Sequence, residues 1–152
     1  MHFPEVKGQN LLKEKKTLPL DFDGELNIVV IAFQRWHQGL VNSWVPFLET
    51  LVQDNTSLEY YELPTIRKMN PLYRRFIDGG MRSGIPSTET RRRTITLYID
   101  KKPFLESLEI PDEENIHLFL VDREGKVFWK GKGEVSQSKA DSLSQALNTY
   151  NR

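Results

Sequence analysis

The feature that most constrains the fold is an unbroken apolar run followed closely by an amphipathic helix pattern. The run covers residues 28–33 and is rich in β-branched residues, which is typical of a strand buried on both faces of a sheet. After a short connection over residues 34–39, apolar residues recur at spacings of three and four: Leu40, Val41, Trp44, Phe47, Leu48, Leu51 and Val52. Pro46 falls inside this pattern, and we expect it to kink the helix. A buried strand followed by a helix predicts an α/β protein.

The rest of the chain supplies further strands and helices in alternation. An N-terminal hairpin is expected around the turn residues 8–10, and later strands at residues 58–63, 94–99, 116–121 and 127–129. Helices are expected to start at Asn70, over residues 103–108, and at Ser138 as cap. The early strand–helix–strand units predict parallel pairing, and the tight turn over residues 122–125 predicts a late antiparallel hairpin at the sheet edge.

Residues 33–46 resemble the active-site segment of thioredoxin-like proteins. That family carries Phe-Trp-Ala-x-Trp-Cys-x-x-Cys, followed by a helix with proline five residues after the second cysteine. Placing Phe33 and Pro46 on the family's Phe and Pro needs no gap, and the two cysteines then fall on Gln38 and Val41. The chain contains no cysteine, so the resemblance implies a scaffold without thiol–disulfide chemistry.

Other stretches resemble peroxiredoxins and their thiol–disulfide relatives over nearly the whole chain. These are the opening Phe3-Pro4, the later Leu18-Pro19, and the hairpin of residues 119–127 with a following glycine. The resemblance implies one thioredoxin-like domain over residues 1–152. It would be a three-layer α/β/α sandwich with a central mixed β-sheet and an N-terminal β-hairpin. The family's cis-proline position falls on Ile116, which implies that the substrate-gripping loop is lost as well.

The residues around the family's active-site position form a candidate groove: Arg35, Trp36, His37 and Ile116. His37, with Gln38 and Arg35, would act as a general base if it had a partner and a substrate pocket. The alternative interpretation is a partly exposed histidine that caps a loop. Trp36 is expected either to line the groove or to pack against the hairpin.

Metal and cofactor sites are not indicated by the sequence. No two of the three histidines, His2, His37 and His117, have the spacing of a metal site, and cysteine ligands are absent. We therefore expect no metal, no cofactor and no catalytic residue of the thiol type. Trp44 is expected to lie either along the groove or in the core.

A second signal is the charge of residues 67–93, where eight bases face two acids in a chain that is neutral overall. The candidate binding patch for an anionic partner consists of arginines: Arg74, Arg75, Arg82, Arg91, Arg92 and Arg93. The alternative is a solvated surface balanced by acids such as Asp112, Glu113 and Glu114. Few aromatic residues are interleaved with these bases, which disfavours nucleic acid as the partner.

Length and hydropathy indicate a globular protein without a transmembrane segment, since no apolar run approaches membrane-spanning length. The first residues lack the basic and apolar regions of a signal peptide. We expect a soluble, cytoplasmic protein, with peripheral membrane association or a removed leader left open.

Several short motifs also resemble the mitochondrial ATP synthase assembly chaperone family: Phe3-Pro4, Asn10-Leu11, Leu18-Pro19, Trp44, Met81-Arg82, Leu120-Val121-Asp122 and Gly131-Lys132-Gly133. This resemblance implies a redox-inactive assembly factor or chaperone that works by protein–protein interaction. The alternative is an oxidoreductase or other enzyme on the same scaffold, with a non-thiol site near His37.

Overall fold

The computed structural model describes residues 1–67 and 87–151, and of Arg67 only the backbone. Seven strands form in these ranges: β1 (Val6–Asn10), β2 (Lys15–Leu18), β3 (Leu26–Ala32), β4 (Leu58–Arg67), β5 (Ile95–Ile99), β6 (His117–Asp122) and β7 (Val127–Lys132). The helices are α1 (Gln38–Asp54), α2 (Thr88–Arg93), α3 (Lys101–Ser107) and α4 (Gln137–Tyr150), with a three-residue 3-10 helix (Arg35–His37) before α1. None of the described helices combines the length and apolar character that crossing a bilayer requires.

The strands form one mixed sheet in the order β2-β1-β5-β4-β3-β6-β7. Strand β3 is central and pairs in parallel with β4, which pairs in parallel with β5. On its other side β3 pairs antiparallel with β6, and β6 with β7. The N-terminal hairpin extends the sheet because β1 pairs antiparallel with β5. The α/β fold with a mixed sheet is therefore confirmed.

Both faces of the sheet are covered by apolar side chains, which is why β3 is buried along nearly its whole length. On one face Trp44 and Leu48 of α1 pack with Leu143 and Leu147 of α4. On the other face Phe104 of α3 packs with residues of the N-terminal segment and the sheet, among them Phe3 and Phe22. Helices thus lie on both sides of the sheet, in three layers.

Several boundaries differ from the sequence-based expectation. Residues 8–10 lie inside β1 rather than in the hairpin turn, which instead spans residues 11–14. Strand β4 continues through Pro64, which is paired with Ala32 at the end of the parallel ladder. Pro46 lies inside α1 without ending it. Because proline has no N–H, Pro46 cannot make the backbone hydrogen bond that an interior helical residue normally donates, yet the helix continues to Asp54.

Local caps explain two more differences. Ser136, not Ser138, caps α4, and its hydroxyl accepts a hydrogen bond from the backbone N–H of Lys139. Tyr150 was expected to face the core but is 40% exposed, with its ring against Phe128. The arginines at 91–93, which precede β5, form the last turn of α2, a helix that the sequence did not predict.

Some predictions fall outside the described residues. The helix expected to begin at Asn70 lies there, together with most of the loop expected at residues 83–88. Arg74, Arg75 and Arg82 of the candidate binding patch also lie outside.

Candidate functional site

The candidate site lies where β3 ends and α1 begins, and its first two members are Gln38 and Val41, which the sequence resemblance aligned with the family's cysteines. Gln38 opens α1 and is exposed, whereas Val41, one turn later, is 2% exposed and packs in the core. The amide nitrogen of Gln38 donates a hydrogen bond to Asn42 Oδ1 at 2.9 Å. Neither side chain is a nucleophile, so the position that reacts in thiol enzymes has no reactive group here.

His37 is buried rather than partly exposed, and its role is structural. Its Nδ1 accepts hydrogen bonds from the backbone N–H groups of Phe33 and Gln34, at 3.0 and 3.2 Å. Gln34 is the N-cap of the 3-10 helix and His37 its third residue, so the imidazole occupies the place that Glu or Gln takes in a capping box. The alternative interpretation was a partly exposed histidine that caps a loop. His37 does cap the loop, but its side chain is buried.

The chemistry of His37 follows from these two bonds. Because Nδ1 accepts two N–H groups, the neutral ring carries its proton on Nε2, which is buried near the backbone of Glu114. Burial lowers the pKa of His37, and the Glu114 backbone and charge offset part of that effect. With Nδ1 occupied and Nε2 protonated, the ring has no free lone pair to offer a substrate proton or a metal ion.

Ile116, which the sequence resemblance placed at the family's cis-proline position, is fully buried. Among the described residues the one cis peptide bond is Leu18–Pro19, so the bond before Ile116 is trans. The carbonyl of Ile116 accepts the backbone N–H of Gly133 at 3.1 Å. Gly133 has φ +78° and its carbonyl accepts the indole N–H of Trp44 at 2.8 Å. This segment is therefore tied into the core, which also settles Trp44 as a core residue with 0% exposure.

Arg35 and Trp36 are the exposed members of the candidate groove. Trp36 is 61% exposed and stands edge-on to the His37 ring, with centroids 4.4 Å apart, rather than packed against the N-terminal hairpin. Arg35 beside it is exposed. Because His37 and Ile116 are buried, the exposed part of the candidate groove is the aromatic and basic surface of Trp36 and Arg35, which we call the tip.

A buried carboxyl lies behind this tip, and no sequence signal singled it out. Glu62 of β4 is 8% exposed, and burial raises its pKa, while the charge of Arg93 and a hydrogen bond with Gln38 act in the opposite direction. Arg93 stacks over the ring of Tyr60, with its guanidinium carbon 3.9 Å from the centroid.

The arginines of α2 are committed to partners within the chain. Arg92 forms ion pairs with Glu89 at 2.9 Å and Asp23 at 2.8 Å, and lies 3.5 Å from Glu59. Arg93 pairs with Glu89 at 3.1 Å, and its side chain is 11% exposed. The acids that balance these arginines therefore differ from the expected ones, and Glu113 pairs instead with Lys101.

Metal binding has no support in the part of the chain that the structure describes, where no group of three His, Asp or Glu side chains converges. His37 and His117 lie on either side of Phe33, each ring 6.5 Å from it. Two histidines alone fall short of the three protein ligands that catalytic zinc sites use.

Solved structures with the same fold are thiol–disulfide and assembly proteins. The lipoprotein thioredoxin Etrx1 from Streptococcus pneumoniae matches with a TM-score of 0.60 and 13% identity, over 96% of this chain and 99% of that one. BsSco, a member of the Sco family of cytochrome c oxidase assembly proteins, gives 0.65 and 13%, over 97% and 92%. Arabidopsis thaliana ScoI with copper bound gives 0.61 and 10%, over 99% and 100%. These identities establish a thioredoxin-like fold and nothing further.

Comparison with curated protein sequences gave no match. The family model described as "ATP10 protein" matches residues 1–149, nearly the whole chain. The opening, the Trp44 helix and the hairpin that suggested an ATP synthase assembly family all lie inside that range. The chain therefore belongs to the ATP10 protein family, on a thioredoxin-like scaffold that contains no cysteine.

Proposed function

We propose that this chain is an assembly factor that works by protein–protein contact through the tip formed by Arg35 and Trp36, without redox chemistry. Membership of the ATP10 family and the thioredoxin-like neighbours support an assembly role on this scaffold. The mode of action through contact is our inference.

The observation that carries the proposal is the exposure of Trp36. A tryptophan that is 61% exposed at the position next to a former catalytic centre does not contribute to the core. Tryptophan and arginine are the residues most enriched among those that dominate interface energies. The tip is anchored from below, because His37 fixes the loop and Val41 and Trp44 are buried in the core. A rigid aromatic anchor loses little conformational entropy on binding.

The enzyme alternative has less support. It requires a general base near His37. In that ring Nδ1 already accepts two backbone hydrogen bonds, and Nε2 is buried away from any substrate. Glu62, the other group with a shifted pKa near Gln38, is itself only 8% exposed. A perturbed carboxyl paired with an arginine is also what a structural ion pair produces.

The partner and the compartment follow from the family rather than from the geometry. The resemblance to ATP synthase assembly chaperones makes a subunit or intermediate of that enzyme the expected client. The family is associated with mitochondria, so the cytoplasmic location expected from the sequence has no support from this comparison.

The test replaces Trp36 in cells that lack their own ATP10 protein and measures assembled ATP synthase on native gels. Trp36→Ala should lose assembly while the protein folds normally, because the side chain is mostly solvent-exposed. A central anchor of this kind contributes about 2 kcal/mol or more, roughly a 30-fold change in Kd. Leu20→Ala is the matched control, since Leu20 is also a largely exposed apolar side chain, at 69%, and lies outside the tip just after β2.

A photo-crosslinking residue at position 35 gives the direct readout. Crosslinks to an ATP synthase subunit that disappear with Trp36→Ala would support contact through the tip. Full assembly with Trp36→Ala would overturn the proposed surface. Reduction of a disulfide or turnover of peroxide by the pure protein would overturn the absence of redox chemistry.

A further inference from the structure

Strand β7 lies at one edge of the sheet, and among the described residues only those at the N-terminus pair with its outer side, near its start. Residues 1–3 pair with its start: the N–H of Phe3 donates to Gly125 O at 2.6 Å, and the N–H of Val127 donates to Met1 O at 3.3 Å. His2 forms a bridge with Lys126. No described strand pairs with the outer side of residues 128–132. The backbone there is a template for one more strand.

A groove of about 480 Å³ runs along this open part of β7. It is bordered by residues that follow α3 on one side and by α4 on the other, and its walls include His117, Trp129 and Leu108. The indole of Trp129 is fixed by a hydrogen bond from Nε1 to Ser142 Oγ at 2.9 Å. The same ring lies so close over Gly131 that a β-carbon at that position would sit 2.5 Å from it. The groove therefore has a preformed aromatic wall.

The groove is positively charged. Three lysines line it, Lys130, Lys132 and Lys139, against one carboxylate, Glu109. Lys130 and Lys132 are exposed and form no ion pair with any other residue in the ranges 1–67 and 87–151. Their cross-strand partners are Phe119 and His117, so both lysines project on the same face of the sheet, two residues apart.

His117 adds an unpartnered polar group to the same wall. It is 7% exposed, and its Nε2 has no hydrogen-bond partner within the described part of the chain. Burial lowers the pKa of His117; Lys132, Lys130 and His37 lower it further, and Asp112 raises it. The influence of both lysines on this ring indicates that their charges converge at the His117 end of the groove.

We propose that the open part of β7 is a binding site for an extended acidic segment of a partner protein. The segment adds an eighth strand to the sheet, and carboxylates at alternate positions meet Lys130 and Lys132. Side chains between those carboxylates face the opposite side, where Trp129 offers apolar surface. This surface is separate from the tip at Trp36 and does not depend on the role proposed for it.

A second copy of the chain is a poorer occupant than an acidic segment. Two β7 edges would bring Lys130 and Lys132 of one chain against the same lysines of the other, and like charges directly opposite destabilise a strand pair. Lysines on an edge strand oppose self-association for that reason.

The experiment measures binding of labelled ten-residue peptides to the full chain by fluorescence anisotropy. One probe alternates glutamate with valine, and a second has the same composition with the glutamates grouped together. The alternating peptide should bind more tightly, should weaken with added salt, and should slow hydrogen exchange at the backbone amides of residues 128–132. The exchange readout uses the unmodified chain and does not depend on any variant folding.

Lys130→Glu/Lys132→Glu should weaken binding of the alternating peptide by about ten-fold or more, since both attractive contacts become repulsive. Lys15→Glu/Lys16→Glu makes the same charge change on β2, the other edge strand of the described sheet, and should leave binding unchanged. Equal binding of both peptides, or an equal effect of both double variants, would overturn the proposal. So would protection of residues 128–132 that depends on protein concentration alone, or binding to phosphatidylserine vesicles without binding to the peptide.

Discussion

The loop at His37 and the helix that carries Arg92 and Arg93 differ in how their apparent functional groups are used. In the loop, the one group with catalytic potential is buried and bonded to backbone, and an exposed Trp36 stands beside it. In α2, the charges that suggested a binding surface are paired with Glu89, Asp23 and Glu59. The loop at His37 therefore offers an exposed side chain for contact but no catalytic group. The helix α2 carries charged groups, but they are already paired within the chain.

The comparison shows that local amino-acid composition does not tell whether a side chain is free to contact a partner. A run of arginines has a large formal charge, but a paired guanidinium has already lost part of its hydration and its freedom. An isolated tryptophan attracts less notice in a sequence, yet its exposure leaves its whole surface available for contact. Four experiments break or sharpen this contrast.

The largest effect is expected from Arg93→Ala in the paired region. The change leaves the buried Glu62 without the cation that offsets its burial and removes the stacking on Tyr60. Leaving a buried carboxylate without a compensating nearby charge in this way costs about 3 kcal/mol of the free energy of unfolding, measured by urea denaturation. Adding Glu62→Gln should recover part of the loss, because a neutral amide tolerates burial better than an unpaired carboxylate. A cost below about 1 kcal/mol for Arg93→Ala would show that the arginine is as dispensable as an exposed one.

His37→Ala should come next and concerns the loop. Two backbone N–H groups, those of Phe33 and Gln34, lose their acceptor, which destabilises the fold by about 2 kcal/mol. His37→Gln is the matched control, since glutamine at the third helical position can bond back to the N-cap N–H. Urea denaturation of both variants separates the two cases. If alanine and glutamine cost the same, the two hydrogen bonds at Nδ1 do not stabilise the loop.

Gln38→Cys/Val41→Cys should have a smaller effect and tests the register of the thioredoxin-like site. Residues three apart on a helix lie about 5–6 Å from one another at Cβ, close enough for bridging after a small adjustment. The exposed Gln38 should be replaced at almost no cost, and the buried Val41 at about 1 kcal/mol. Thiol titration under oxidising conditions should find no free thiol. A folded variant that stays reduced at every potential would contradict the alignment of these positions with the family's cysteines.

The smallest effect is a pH dependence assigned to His37. Burial holds the pKa of His37 in the folded chain below 6.5. As pH falls through 6.5, His37 is therefore protonated in the unfolded chain but stays neutral in the folded chain. The contribution of His37 is therefore complete above pH 6.5 and is lost progressively below it. The difference in free energy of unfolding between the wild type and His37→Gln should shrink from pH 7.5 to pH 5.5. Titration of Glu62 and His117 affects the two proteins equally and cancels in this difference. A gap that stays constant would mean that the folded ring protonates as easily as the unfolded one.

Much of the fold could be predicted from the sequence because its signals are local. The apolar run before residue 34 and the three-and-four spacing after it gave the central strand and α1, and turn residues gave the β6–β7 hairpin. The candidate site was only partly predictable. The alignment of Gln38, Val41 and Ile116 with the family's site stays a prediction, whereas Glu62 carried no pattern that distinguished it from any strand acid.

The sequence by itself determined the order of the seven strands, the buried identity of β3, and the absence of any thiol. Tertiary structure alone decided which charges are free. Arg92 meets Asp23 across 69 residues of chain, and His37 meets its two donors only because the loop folds back over the end of β3. Hydrophobic periodicity depends only on the order of residues within one helix or strand, so it can be read directly from a sequence. Ion pairs and caps depend on which elements the fold brings within about 3 Å of each other, and that proximity exists only in three dimensions.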